Sequence, residues 1–188
     1  MIPTQKGKPT GRTGLKSDRD LTNAEKIIYG LIDRKLTIAT AESVTAGGFG
    51  QALTRVPGSS RVYKGGVIVY TKELKMQLLG ITDELLKKGL VTPELSLEMA
   101  RRALDLFSVD YAVGVTGNAG PTTDEGGGGV GEVYWAVCNS AGKSEIFEHH
   151  LFGNRDEVRM KAVANGLRNL RDFMDTDDHK LSVIVRDK

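Results

Sequence analysis

Cysteine is nearly missing from this chain: Cys138 is the only one in 188 residues. That excludes an internal disulfide framework and a cysteine-built zinc site. It lies in the apolar run VYWAVC, where a free thiol packs as a small hydrophobe. Histidine is almost as scarce, with three in all. His149 and His150 are neighbours on a strand-like run and point to opposite faces, so they make no metal pair, and His179 sits in a polar tail. A histidine-based catalytic triad therefore has little support, and no metal is expected. No apolar run approaches membrane-spanning length and no signal-peptide core is present, so the expectation is a cytoplasmic protein with no membrane partner. An excess of one charge is lacking too: 26 basic against 24 acidic residues give a formal +2. Lys6, Lys8, Arg12, Lys16 and Arg19 crowd the first 19 residues against Asp18 alone. The remainder is close to neutral and offers no face for nucleic acid.

What is present is an alternation of strand-like and helical patterns. The first 20 residues are rich in Pro, Gly, Lys and Thr and poor in apolar side chains, which predicts a disordered basic arm. Helical spacing of Ala24, Ile27, Ile28, Leu31 and Ile32 follows, with Thr22 or Asn23 as N-cap. LTIATA (36–41) reads as a strand and Thr45 to Arg55 as a helix closed by VPGSS. GGVIVYT (65–71) reads as a strand leading into a helix over 72–79. A short helix near 83–88 precedes a longer one from Pro93 to Phe107, where Thr92 caps and Pro93 fits the first helical position. YAVGVT (111–116), EVYWAVCN (132–139) and SEIFEHHLF (144–152) read as strands, the last two forming a hairpin around SAGK. A helix from Arg155 to Met174 completes a domain spanning 21–175. In the tail, 176–188, LSVIV reads as an added edge strand or a partner-binding segment. The fold class expected is α/β: one layered domain with a mixed β-sheet flanked by helices.

In open α/β sheets ligands gather where strands end and loops enter helices. Three polar loops occupy such positions: AESVTAGG (41–48), YTKELK (70–75) and TGNAGP (116–121). In the first, Ser43 leaves a strand just before a helix start, whose free amides and positive dipole end favour an anion. On its own the loop is equally a capped strand–turn–helix, with Ser43 or Thr45 as N-cap. No Gly-Lys-Ser/Thr ending makes it a Walker loop. Lys75 lies one turn into the helix after Tyr70; such a lysine is ordinarily solvated, yet a lysine of lowered pKa activates a serine without histidine. Asn118 supplies either a carbonyl or oxyanion donor or a tight turn. Arg155, one residue after the cap Asn154, either clamps a phosphate or faces solvent.

Together these motifs resemble the CinA C-terminal domain family, the nicotinamide-nucleotide amidohydrolases. AESVTAGG, VPGSSRVYKGGVIVYTKELKMQLLG, VDYAVGVTGNAGP, VGEVYWAV and FGNRDEVR share that family's order and approximate spacing over residues 22–174. The resemblance implies hydrolysis of the carboxamide of nicotinamide mononucleotide, a step of pyridine-nucleotide salvage. The products are nicotinic acid mononucleotide and ammonia, formed by a serine/lysine arrangement with no metal and no cofactor. It assigns catalysis to Ser43, Ser60, Tyr70 and Lys75: Ser43 or Ser60 as nucleophile, Lys75 as base directly or through Ser60, Tyr70 positioning the lysine or assisting proton transfer. It gives the phosphate or ribose to Thr45, the amides of Ala46 and Gly47, and Arg155, with Gly117 and Asn118 bordering the carboxamide. The implied partners are a small nucleotide substrate and a second copy in a homodimer. Two departures stand out. Ala46 replaces a usual glycine, where its methyl would crowd a phosphate or demand a negative φ. The loop TTDEGGGGVG also carries Asp124 and Glu125, which would repel a phosphate if they faced the site. An alternative is a nucleotide-binding module of this fold with weak catalysis, or an amidase for another nucleotide.

Overall fold

This computed structural model describes residues 21–124 and 128–186, with side chains as far as 177. The expected basic arm at 1–20 lies outside the described residues, as does Glu125. Elements follow the chain as α1 (Asn23–Arg34), β1 (Ile38–Glu42), α2 (Gly48–Thr54), β2 (Tyr63–Ile68), α3 (Lys72–Leu79), α4 (Asp83–Leu86), α5 (Pro93–Phe107), β3 (Tyr111–Gly117), β4 (Glu132–Asn139), β5 (Ser144–His150) and α6 (Arg155–Arg186). Threonine opens four of the helices. The hydroxyls of Thr22, Thr71, Thr82 and Thr92 each accept a hydrogen bond from the amide three residues on, satisfying a donor that has no partner within the helix. Asn154 does the same for α6 through the amides of Asp156 and Glu157, both at 3.1 Å.

The five strands form one mixed sheet in the order β2-β1-β3-β4-β5. β1 runs parallel to both β2 and β3, while β3, β4 and β5 are antiparallel in turn. One apolar cluster lies between the sheet and α1, α2 and α6, holding Ile28, Leu31, Phe49, Leu53, Trp135, Val158 and Phe173. The other lies beneath α3, α4 and α5, holding Ala39, Ala41, Leu79, Leu95, Met99 and Ala112. The molecule is therefore helix layer, sheet, helix layer, and β1 and β3 are buried on both faces, as parallel strands between helices must be. Close approach depends on small residues. A side chain at Gly114 would meet the Ser96 carbonyl at 2.2 Å, and one at Gly166 would meet the Trp135 ring at 2.5 Å. Trp135 is wholly buried against Phe49 and Gly166, and its indole N–H has no partner among the described residues.

Three expectations change. The first helix after β1 begins at Gly48, not Thr45, because residues 44–47 form a turn in which Ala46 and Gly47 have φ of 49° and 88°. β2 begins and ends earlier than the GGVIVYT run. The LSVIV segment is no edge strand: α6 continues through it to Arg186. Among the described residues no helix is long and apolar enough to cross a membrane.

Candidate active site

From β1 the chain crosses to β2 by way of α2 on one face of the sheet. From β2 it returns over the other face, by way of α3, α4 and α5, to enter β3 on the far side of β1. The loops after β1 and β3 therefore diverge at a topological switch point, where open α/β sheets make their binding crevices. A pocket of about 200 Å³ opens there, lined by Ser43, Val44, Tyr70, Gly117, Asn118, Asp124 and Arg155 among others.

Ser43 follows the last residue of β1, and its amide donates to the Val115 carbonyl at 3.0 Å, fixing it to the end of β3. Lys75, on α3, is 2 % exposed. Its ammonium nitrogen Nζ reaches Ser43 Oγ at 3.2 Å, the Val69 carbonyl at 2.8 Å and the Tyr70 carbonyl at 3.5 Å. Burial drives its pKa down from the ordinary 10.5 to about 8, against opposing pulls from Asp124 and Glu73. A lysine so desolvated has a substantial neutral fraction near physiological pH and faces the hydroxyl whose proton it would take. The Val44 amide, next in sequence to Ser43 and also at the pocket, has no hydrogen-bond partner among the described residues, which leaves it open to an oxyanion.

The anion-binding helix start is a different matter. Its donors are already taken by Glu42, the last residue of β1, 2 % exposed. One Glu42 carboxylate oxygen accepts from the Thr45 hydroxyl at 2.7 Å and from the Gly47 and Phe49 amides at 3.0 and 3.1 Å; the other accepts from the Gly50 amide at 2.8 Å. The Ala46 amide donates to the Ser43 carbonyl at 3.0 Å. The Thr45 hydroxyl and the Ala46 and Gly47 amides thus already donate within the protein, which supplies its own anion at that end of α2. Ala46 has a φ of 49°, in the left-handed region rather than at the negative φ expected.

Ser60 is corrected by topology. It occupies a single helical turn, Ser59–Arg61, that precedes β2. β2 is parallel to β1, with Tyr63 beside Ile38 and Ile68 beside Glu42. Six residues of strand, roughly 20 Å at about 3.3 Å each, separate Ser60 from Ser43 and Lys75. Within one chain the structure does not bring it to the Ser43–Lys75 pair. Tyr70 is at the pocket, but its hydroxyl accepts from Arg155 Nη2 at 2.5 Å; only its carbonyl meets Lys75. Arg155 also donates to the Gly120 carbonyl at 2.9 Å. Asn118 is turned to its own loop, with Nδ2 donating to the Gly128 carbonyl at 3.2 Å and Oδ1 accepting from the Asp124 amide at 3.1 Å, so its side chain shapes the pocket wall. Gly117 borders the pocket at the end of β3, where a side chain would meet the Glu132 carbonyl at 2.7 Å.

Sequence reasoning missed Glu42 and Arg159. A carboxylate ending an otherwise apolar strand, directly before a Gly-rich helix start, was a legible signal for the first. Arg159 is one turn after Arg155 and donates to the Val44 and Thr45 carbonyls at 3.2 and 3.3 Å, gripping the turn that follows Ser43. Among the described residues no group of three or more His, Cys, Asp or Glu side chains is arranged to hold a metal ion.

Fold and site together define an α/β protein whose polar pocket, at a sheet switch point, holds a buried serine–lysine pair. The chain belongs to the CinA C-terminal domain family, whose model matches residues 20–174. It is 38% identical over 177 residues to a CinA-like protein of Prochlorococcus marinus, covering 91% of this chain and 41% of that one. It is 39% identical over 165 residues to a CinA-like protein of Leptospira borgpetersenii, covering 85% and 38%. The chain thus spans about two fifths of the length of these relatives. Solved structures of similar fold include competence damage-inducible protein A of Klebsiella pneumoniae, at TM-score 0.76 and 30% identity over 80% of this chain and 93% of that one. The competence/damage inducible protein of Agrobacterium tumefaciens aligns at TM-score 0.75 and 35% identity, over 79% and 91%.

Proposed function

We propose that the protein hydrolyses the carboxamide of nicotinamide mononucleotide, with Ser43 as nucleophile and Lys75 as general base. The observation that carries this is the 3.2 Å approach of the Lys75 amine to Ser43 Oγ in a place too dry for an ordinary lysine charge. Neutral Lys75 takes the hydroxyl proton as Ser43 Oγ bonds to the amide carbon. The Val44 amide faces the oxyanion that forms. Collapse breaks the C–N bond, and the Lys75 ammonium returns its proton to the departing ammonia. Water then attacks the acyl-serine ester, Lys75 again accepting the proton, and the carboxylate leaves as Ser43 is restored. Arg155, held at the pocket rim by Tyr70 and Gly120, is the cation for the substrate phosphate.

Ammonia release from nicotinamide mononucleotide tests this. Ser43→Ala and Lys75→Ala should each lower kcat by about 10³-fold or more, as removal of a nucleophile or its base does. The wild-type rate should climb as pH rises through about 8, where the lysine loses its proton. Full turnover by folded Lys75→Ala protein would refute the assignment.

A further inference from the structure

The pocket holds two opposite charges that no ion pair among the described residues cancels. Asp124 and Arg155 both line it, and neither makes an ion pair with any described residue. The guanidinium is held by neutral acceptors, the Gly120 carbonyl and the Tyr70 hydroxyl. Asp124 is anchored through its backbone, its amide donating to the buried Asn118 side chain at 3.1 Å, and it lines the pocket at its solvent-exposed side. Ser43 lines the same pocket, and the negative charge of Asp124 favours the protonated form of Lys75. A carboxylate in that position is a poor neighbour for a phosphate and a good one for a cation.

We propose that Asp124 is a specificity-determining residue that selects an amide whose ring carries a permanent positive charge, while Arg155 takes the anionic end of the same molecule. This rests on the amidase reading and narrows it. The preferred substrate class is a quaternary pyridinium carboxamide bearing a phosphate, and a nucleotide with a neutral ring is disfavoured although its carboxamide and phosphate are the same. The charge of Asp124, which would weigh against a phosphate if that group were alone, is complementary to a substrate of both signs. Because Asp124 is exposed, the attraction is screened by salt.

The test compares nicotinamide mononucleotide with its 1,4-dihydro form, which keeps phosphate and carboxamide but has an uncharged ring. The two amides differ in intrinsic reactivity, so the informative quantity is how their kcat/KM ratio changes between wild type and Asp124→Asn. The ratio should fall by about five- to tenfold in the variant, through KM for the charged substrate, as expected for one partly screened charge pair. Raising the ionic strength should compress the wild-type ratio and leave that of the variant almost unmoved. Equal losses on both substrates, or an unchanged ratio, would overturn the proposal. If wild-type protein hydrolyses neither nucleotide, the amidase reading fails. The proposal is then judged on dissociation constants for the same pair, where an unchanged ratio in Asp124→Asn again overturns it.

Discussion

At the scale of single residues, Lys75 concentrates the conflict between stability and use. Its folded pKa, about 8, lies below the ordinary 10.5. Between those values the unfolded chain binds the extra proton, so stability rises with pH across that window, and below about pH 8 the whole cost of the buried charge is present. Lys75→Met should therefore abolish turnover and yet raise unfolding free energy at pH 7. The expected net gain is about 1–2 kcal/mol: relief of the buried charge, less the cost of leaving the Val69 carbonyl without its donor. The gain should shrink towards pH 10. Urea denaturation at pH 7 and pH 10 measures it, and a variant less stable at both would contradict this account. Part of this scale was legible: Ser43 lay at the end of a strand-like run, whereas Lys75, one turn into α3, read alone as an ordinary solvated lysine and was singled out by the family resemblance. Which way Tyr70 and Asn118 turn was not, since their partners, Arg155 and Gly128, are set by the folded loops rather than by spacing.

At the scale of elements, the start of α2 shows why a sequence pattern for anion binding is ambiguous. A Gly-rich turn entering a helix offers several amides whatever anion meets them. Here the anion is Glu42, in the strand immediately before, with four hydrogen bonds from Thr45, Gly47, Phe49 and Gly50. Glu42→Ala leaves those neutral donors without their acceptor and should cost about 3–5 kcal/mol, since several donors lose a charged partner at once. Glu42→Gln, which keeps the volume and one acceptor oxygen, should cost less. Chemical denaturation of the two variants separates them, and equal stability of Glu42→Ala and wild type would show that the carboxylate does not hold the turn. Because Ser43 is its covalent neighbour, loss of Glu42 should also loosen Ser43. The helix and strand patterns themselves were readable from the chain; α3, α5 and β4 fall where their residues predict. The C-terminal helix was not read to its end, since LSVIV has strand propensity that the continuing α6 overrides.

At the scale of the whole molecule, the order of strands decides which residues meet. A helix joining two parallel neighbours must carry the chain back to the end of the sheet where the first strand began. That rule places Ser60 at the opposite end from Ser43, and it applied as soon as β1 and β2 were known to be parallel. What the chain pattern left open was pairing itself: whether β1 lies beside β3, and so whether the loops after them share one crevice. Ser60→Ala should retain kcat/KM within about twofold of wild type, the outcome for a surface change about 20 Å from the chemistry. A loss comparable to that of Ser43→Ala would mean that the pairing of β1 with β2 is wrong.

The packing of Trp135 against Gly166 and Phe49 has a practical consequence. It is the only tryptophan of the chain and is wholly shielded from water in the layer between the sheet and α6. Its near-ultraviolet emission is therefore a built-in gauge of whether that layer is closed. With no second indole to blur the signal and no place in the pocket, the ring reports on unfolding separately from what happens at Ser43.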